Sequence, residues 1–352
     1  MLAIVIPAYE PDSDFVIYVK ELVSVGFKKI IIVNDGSDET YNDIFSEINK
    51  FDEVSLIKHA INLGKGRALK DAFNYLLVNS PEIEGVITVD SDGQHSVKDV
   101  LALTQSFHNN NELILGCRNF DLDNVPPKSK FGNKLTRFIF KFLYGSDLSD
   151  TQTGLRVLSK DLMKICLSIP GERFEFETNM LITFKEKNIK FTEKEIETLY
   201  DSKDNHVTHF NPIKDSIKIY RIFLGQILKY LFSSFSSWGI DILLFSFFIF
   251  IFKNESSLNY IFYATFLARF FSSLYNCGFN YFLVFKSNEN KTAALLKYYV
   301  LVIINMLISS FFIYYVYRML KINETMIKII IDSFLFIANY VIQRIFIFRH
   351  IS

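Results

Sequence analysis

The sequence predicts an α/β domain with a Rossmann-like, mostly parallel sheet, joined to an α-helical transmembrane domain of four helices. Three observations predict it. Across residues 1–210 short apolar runs alternate with helical patterns, the βαβα rhythm of a doubly wound sheet. From about residue 228 Phe, Ile, Leu and Tyr dominate, in four apolar stretches at 230–252, 258–284, 295–317 and 327–347. Each supplies the ~20 residues that a bilayer-crossing helix needs. Between them lie short polar breaks, KNESS, KSNENK and RMLKINET, suited to turns at a membrane surface.

The elements follow in order. Strands are expected at 2–7, 29–33, 54–58, 85–89 and 112–116, with helices at 14–25, 39–49, 65–78 and 97–109. The opening MLAIVIPAYEP has no basic n-region and breaks at Pro7, so it reads as a first strand rather than a signal peptide. A chain of 352 residues allows two domains. Its 38 basic and 38 acidic residues cancel, which gives no global pointer to nucleic acid. Cys117, Cys166 and Cys277 are widely spaced and match neither a disulfide framework nor a zinc site. Reduced thiols and a cytoplasmic catalytic part are expected.

Ligands of doubly wound sheets bind beyond the carboxyl ends of the strands, and the polar residues gather there. Pro7-Ala8-Tyr9-Glu10 follows the first strand, Asn34-Asp35-Gly36-Ser37 the second, Asn62-Leu63-Gly64-Lys65-Gly66 the third and Asp90-Ser91-Asp92-Gly93-Gln94-His95 the fourth. Singly, each reads equally well as a turn or a helix cap. GKG lacks the spacing of a Walker loop. Asp90 and Asp92 stand at i and i+2, so on an extended chain both carboxylates face one side. Two acids at the tip of a buried strand cost stability unless something pairs with them.

IVIPAYE, IIVNDGSDET, NLGKGRALKDAF, VDSDGQH and DTQTGLR occur in this order and resemble a family 2 glycosyltransferase with a GT-A fold. More narrowly they are similar to polyprenyl-phosphate sugar synthases of the dolichol-phosphate-mannose synthase type. The resemblance covers roughly 1–210. FFSSLYNCGFNYFLVF (270–285) and IANYVIQRIFIF (337–348) in the tail resemble the GtrA-like membrane family. The implied organisation is a cytoplasmic GT-A domain at 1–210, a juxtamembrane amphipathic linker at 211–229 and a GtrA-like domain at 230–352.

The resemblance implies a nucleotide-sugar donor, with UDP-glucose first and UDP-galactose and UDP-N-acetylglucosamine next. The partner that the acids demand is then a divalent ion, magnesium or manganese, neutralising a diphosphate leaving group. Asp92 would bind it directly; Asp90 would contact the metal or the ribose. His95 is either a metal ligand or a structural hydrogen-bonding group, and Gln94 would face sugar and diphosphate. Asp35 would bond the base, with Pro7, Tyr9 and Glu10 lining the base and ribose pocket. Lys65 would reach a phosphate or the base. Glu177, with Glu175, would wall the sugar pocket or merely start a helix.

The implied acceptor is polyprenyl (undecaprenyl) phosphate, with inversion at the anomeric carbon. Arg118, Arg137 and Arg156 are the candidate phosphate-positioning cations, because a guanidinium suits phosphate. Asp150, which opens DTQTGLR, would be base, orienter or an Asx turn. Phe131, Leu135, Phe138, Ile139 and Phe142 recur at helical spacing among Lys128, Lys130, Lys134, Arg137 and Lys141. This reads as a basic amphipathic helix on a membrane surface, or as an ordinary core helix.

Four spans put both ends on one side. Lys214, Lys218, Arg221, Lys229, Lys286, Lys291, Lys297, Arg349 and His350 bias that side to the cytoplasm against Lys253, Arg318, Lys321 and Lys328. The protein is therefore expected to be integral to the cytoplasmic membrane, with a homo-oligomer possible. Asp241, Arg269, Asp332 and Arg344, with Asn276, Asn280, Asn305 and Asn339, would either pack helices or line a path for a sugar-phosphate head. Two rivals remain. A processive polysaccharide synthase would carry Q-x-x-R-W, which is missing; the only tryptophan is Trp238. The other is a membrane translocator or scaffold with an inactive transferase-like domain.

Overall fold

A computed structural model describes residues 1–107, 112–122, 125–197, 214–252, 259–287, 289–321 and 324–348. The chain divides into two compact units, Met1–Tyr220 and Arg221–Ser352.

The first unit is built on seven strands: β1 (Leu2–Ala8), β2 (Ile30–Asn34), β3 (Val54–Lys58), β4 (Gly85–Thr88), β5 (Glu112–Arg118), β6 (Arg156–Ser159) and β7 (Lys190–Ile196). They lie in the order β3-β2-β1-β4-β6-β5-β7. Every neighbouring pair is parallel except those of β6, which runs antiparallel to both β4 and β5. Ala3–Ile6 and Ile30–Val33 are unbroken apolar runs without exposed surface, as strands covered on both faces must be. Helices α1 (Asp14–Ser24), α2 (Asn42–Ile48), α3 (Lys65–Asn79), α4 (Val97–Gln105), α5 (Pro127–Tyr144), α6 (Lys160–Leu167) and α7 (Glu175–Glu186) accompany them.

β1 lies between β2 and β4. The chain therefore runs outward through β2 and β3, then returns to β4 on the other side of β1. Such a switch point opens a crevice at the carboxyl ends of the strands. The five expected strands and four expected helices are present, with ends shifted by a few residues. Residues 39–41 form a separate 3-10 turn before α2. The expected end of α4 at 109 lies outside the described residues, and the helix ends at Gln105. β6 and β7 were not expected; β6 is only four residues long.

α5 turns the apolar stripe expected from the sequence away from the core, against the reading of it as an ordinary core helix. Pro127 opens it, where a missing N–H costs nothing. Its buried stripe is Asn133, Thr136, Phe140 and Leu143. The stripe marked by the sequence faces outward instead, with Phe131 69% and Phe138 66% exposed and the Phe138 and Phe142 rings stacked at 6.2 Å. The side chain of Lys128 lies outside the described residues.

The second unit holds α8 (Lys214–Phe252) from Arg221 onward, α9 (Asn259–Phe279), α10 (Lys291–Leu320) and α11 (Glu324–Ile342). Residues 214–229 of the expected linker are part of α8; 211–213 lie outside the described residues, as do Lys253, Arg349, His350 and the side chains of Lys214, Lys218, Lys328 and Asp332. Among the described residues one helical segment, Ile227–Phe252, is long and apolar enough to cross a membrane. Ser333–Ile347 is apolar but shorter.

α9 and α11 end alike, in π-helical turns at Asn280–Val284 and Gln343–Ile347. The two ends share a spacing: Asn276, Asn280 and Phe285 correspond to Asn339, Gln343 and Phe348. Asn280 Nδ2 donates to Gln343 Oε1 at 2.9 Å, and the two Phe rings stack at 5.5 Å. Asn276 accepts from Tyr298, and Asn339 from Asn305. Asp241 lies 3.6 Å from Arg269 and accepts from Ser272. Helix-to-helix pairing thus occupies most of these polar groups.

The first unit has its own sheet and core. Expressed alone, residues 1–220 should unfold in one cooperative transition in denaturant; a broad, non-cooperative loss of signal would show that the unit depends on the second.

Candidate active site

The tip of β4 enters the crevice and carries Asp90. Its Oδ1 sits 2.7 Å from Lys65 Nζ, which also lies 3.1 Å from Glu177 Oε1. The other face of the carboxylate packs on Gly154, where a Cβ would come within 2.2 Å of Oδ2. The glycine of DTQTGLR is therefore required by the acid that it touches. Burial opposes a charge on Asp90, but Lys65, then His95 and Arg118, outweigh it and hold its carboxyl below the usual aspartate range. Burial likewise works against the Lys65 ammonium, yet Asp90 and Glu177 raise its pKa. Asp92 is exposed, and its Oδ1 accepts the Gln94 N–H at 3.1 Å.

Asp35 does not stand open to a base. It is buried; Oδ1 takes the Leu63 N–H at 2.9 Å and His59 Nδ1 at 2.7 Å, and Oδ2 takes the Gly64 N–H at 2.8 Å. Three of its acceptor positions are filled by the loop that opens α3. A carboxylate at that helix start also opposes the dipole favourably. Gly64, at φ +105°, has a conformation and a fit against Glu172 O (2.5 Å to a built Cβ) that only glycine accepts. Asp35 thus fixes where Lys65 begins.

Pro7 is part of β1, and Tyr9 and Glu10 follow it half-buried. Glu10 has φ +47°, rare for a residue with a side chain and a mark of strain held at functional sites. Its N–H donates to Ser37 Oγ at 2.8 Å. A hydrogen bond with Glu10 raises the Tyr9 pKa.

Arg118, at the end of β5, gives Nε to Asp150 Oδ2 at 2.8 Å and Nη2 to Oδ1 at 3.4 Å. Asp150 is fully buried, and Oδ1 also accepts from Gln152 N and Asn133 Nδ2. Of its three expected roles, the contacts carry two, the Asx turn to Gln152 N–H and the orienting of Arg118, and the closed shell disfavours that of base. Arg137, on the outward face of α5, lies 3.8 Å from Asp147 and is not brought to this group by any described contact. Arg156 is a correction. It is 1% exposed, with Nε on Thr153 O and Nη1 on Glu177 O at 2.9 Å each. A guanidinium enclosed in this way braces the wall behind Glu177 and cannot meet an acceptor.

The donor set suits a hard cation only in part. Among the described residues no three His, Cys, Asp or Glu converge as a ready-made metal set, the expected trio of Asp90, Asp92 and His95 included. His95 is buried, its backbone oxygen is held by Tyr18 OH at 2.7 Å, and burial lowers its pKa. Its Nδ1 has no hydrogen-bond partner. Two carboxylates, one fixed and one open, fit an ion whose remaining ligands are substrate phosphate and water.

The sequence reading missed His59, which lies between Asp35 and Asp71, its Nε2 3.2 Å from the latter. It also missed Lys70, whose Nζ holds Gly171 O at 2.8 Å and Glu172 at 3.0 Å. His59 follows β3, outside every motif, and Lys70 lies within NLGKGRALKDAF without a role assigned to it; only their burial reveals them.

Arg156→Met should strip the Thr153 and Glu177 carbonyls of the guanidinium's hydrogen bonds and destabilise the unit by about 2–6 kcal/mol, at roughly 1–3 kcal/mol for each. An unchanged denaturation midpoint would show that the guanidinium is not enclosed.

Residues 3–165 match the family model described as glycosyl transferase family 2. Protein MJ1222 of Methanocaldococcus jannaschii, described as uncharacterized, is 32% identical over 203 residues, covering 56% of this chain and 81% of that protein. A UDP-N-acetylglucosamine–dolichyl-phosphate N-acetylglucosaminyltransferase of Methanococcus voltae is 29% identical over 218 residues, 57% of this chain and 86% of its own. Among solved structures, mannosyl-3-phosphoglycerate synthase from Rubrobacter xylanophilus aligns with a TM-score of 0.45 at 12% identity, covering 65% of this chain and 74% of that one. From β1 into α6 the first unit follows the family model, and through that unit the chain belongs to glycosyl transferase family 2.

Proposed function

We propose that the protein transfers a hexose, with inversion, from a UDP-sugar (UDP-glucose first) to a polyprenyl phosphate, giving a lipid-linked sugar for cell-envelope glycosylation. The observation that carries this reading is a carboxylate locked at the switch-point crevice, Asp90, beside an open one, Asp92. The name of the Methanococcus voltae relative supports a UDP-sugar and a lipid phosphate, and makes UDP-N-acetylglucosamine the first competitor as donor.

Asp92 and Asp90 would hold magnesium or manganese, which when bound neutralises the charge of a leaving diphosphate. Tyr9, Glu10 and Pro7 border the nucleoside, Glu177 and Gln94 the sugar. Arg118, oriented by Asp150, offers its guanidinium to the acceptor. A phosphate monoester has a second pKa of about 6 and is already a nucleophile at neutral pH. An acceptor of this kind needs positioning rather than deprotonation, which agrees with the closed surroundings of Asp150.

The outward Phe131 and Phe138 of α5, among Lys134, Arg137 and Lys141, suit a helix lying on a membrane surface. The reading extends to four membrane spans in the second unit, with a GtrA-like role in anchoring and in helping the product across the cytoplasmic membrane. Trp238, Leu243 and Phe250 on α8 are exposed in the isolated chain, as lipid-facing side chains would be.

The full chain, incubated with metal, a panel of UDP-sugars and either undecaprenyl or dolichyl phosphate, should give a lipid monophosphate sugar by mass spectrometry. A soluble polymer, or no turnover with any donor, would sink the assignment. Asp92→Ala should abolish transfer with melting unchanged. Gly154→Ala should cost about 100-fold or more, on the scale of a misplaced catalytic group, by forcing Asp90 aside. Phe131→Ser with Phe138→Ser should raise KM for the lipid and leave KM for the donor alone.

A further inference from the structure

Lys65 occupies a position that the proposed reaction does not explain. Its ammonium sits between two carboxylates, Asp90 at 2.7 Å and Glu177 at 3.1 Å, and its side chain is only 16% exposed. None of the three groups is free to drift. Asp90 is packed on Gly154. Gly66 lies against α7, where a Cβ would come within 2.4 Å of Phe176 Cβ, next to Glu177 in the chain. The start of α3 is tied to Asp35 through Gly64 N–H. Arg67 N–H also donates to Glu172 O at 2.9 Å, joining the first turn of α3 to the segment before α7. The fold thus delivers one ammonium to the carboxylate that a divalent ion would share with Asp92.

Two cations cannot both have Asp90 at full strength. With no donor present the ammonium occupies one of its oxygens, so an arriving dication finds a partly neutralised ligand and a like charge beside it. A diphosphate alters this balance, because it brings anionic oxygens that an ammonium can take in exchange for the carboxylate.

We propose that Lys65 is a resident counter-cation for Asp90 and Glu177 that keeps the metal site weak until a nucleotide diphosphate arrives, so that metal and donor bind cooperatively. The proposal rests on the metal-dependent reading above and adds a competitor for the metal that the reading does not require. The competition is direct, for one carboxylate. Removing the ammonium together with one carboxylate therefore still tightens metal binding, whereas a general charge effect would cancel.

The test is Mn2+ binding, followed by the electron paramagnetic resonance of the free ion, on the purified full chain with and without UDP. The wild type should bind Mn2+ weakly alone and more tightly with UDP, by a factor within the roughly 5–150-fold span of ordinary site–site coupling. Lys65→Met combined with Glu177→Gln leaves local net charge unchanged and frees the Asp90 carboxylate for the metal. It should bind Mn2+ alone about tenfold more tightly than the wild type, the lower end of what removing one neighbouring like charge does to an ionic equilibrium. UDP should then add about twofold or less. Lys65→Met alone should behave the same way, and Lys65→Arg should keep the wild-type weakness. If the double variant binds Mn2+ alone no better than the wild type while UDP still tightens both, the proposal fails and the metal reading stands. If the wild type binds no Mn2+ even with UDP, the metal reading fails and takes the proposal with it.

Discussion

The ion cluster of Lys65, Asp90 and Glu177 is the contact on which the rest of the first unit is arranged. Removing three charges from water costs several kcal/mol for each ion unless each finds a partner with good geometry. The chain meets that condition with small residues rather than with more charge. Gly154 lets Asp90 settle, Gly66 lets α3 approach α7, and Gly64 lets Asp35 seize the loop before Lys65. Three elements far apart in sequence (the tip of β4 and the starts of α3 and α7) therefore meet at one point. The strand order makes that point the switch-point crevice.

A second ion pair, Arg118 with Asp150, sits beside the first and has a different character. Asp150 is enclosed and Arg118 is only partly covered, so the pair presents cationic donors outward and hides its anion. Arg156 carries the same side chain and has the opposite fate. β6 runs antiparallel between β4 and β5, and its first residue pairs with Thr88 and Leu115, a few residues short of Asp90 and Arg118. There Arg156 spends its N–H groups on the carbonyls of Thr153 and Glu177. Level along the sheet, not residue type, separates the arginine that can face a ligand from the one that cannot.

This explains what the sequence made legible. The parallel half of the sheet follows from apolar runs and turn residues, because burial on both faces leaves no other pattern. The acids of VDSDGQH and the glycines near them are legible too, since carboxylates at strand tips demand partners. Three things were not. β6 is too short to carry a period. Asp35 resembles a ligand contact but is consumed by its own loop. The buried face of α5 is partly polar, through Asn133 and Thr136, so its larger apolar stripe does not mark the face that packs on the core. In each case tertiary contact overrode a sound local rule. His59 and Lys70 show the converse: residues of ordinary appearance that tertiary contact makes part of the site's frame.

The second unit applies the same logic among apolar helices. A lone amide buried among apolar helices is costly, and two that meet satisfy one another. Asn280 and Gln343 meet where α9 and α11 both relax into π turns, and the stacked Phe285 and Phe348 end both turns. A π turn adds a residue to the helix and rotates every side chain beyond it. Two identical insertions at matching positions keep the partners in step, whereas one alone would turn an amide away from its mate. The repeat therefore holds the register of its two helices through this polar contact, and a change of either amide to leucine would leave the other only its second partner, Asn276 for Asn280 and Tyr230 for Gln343.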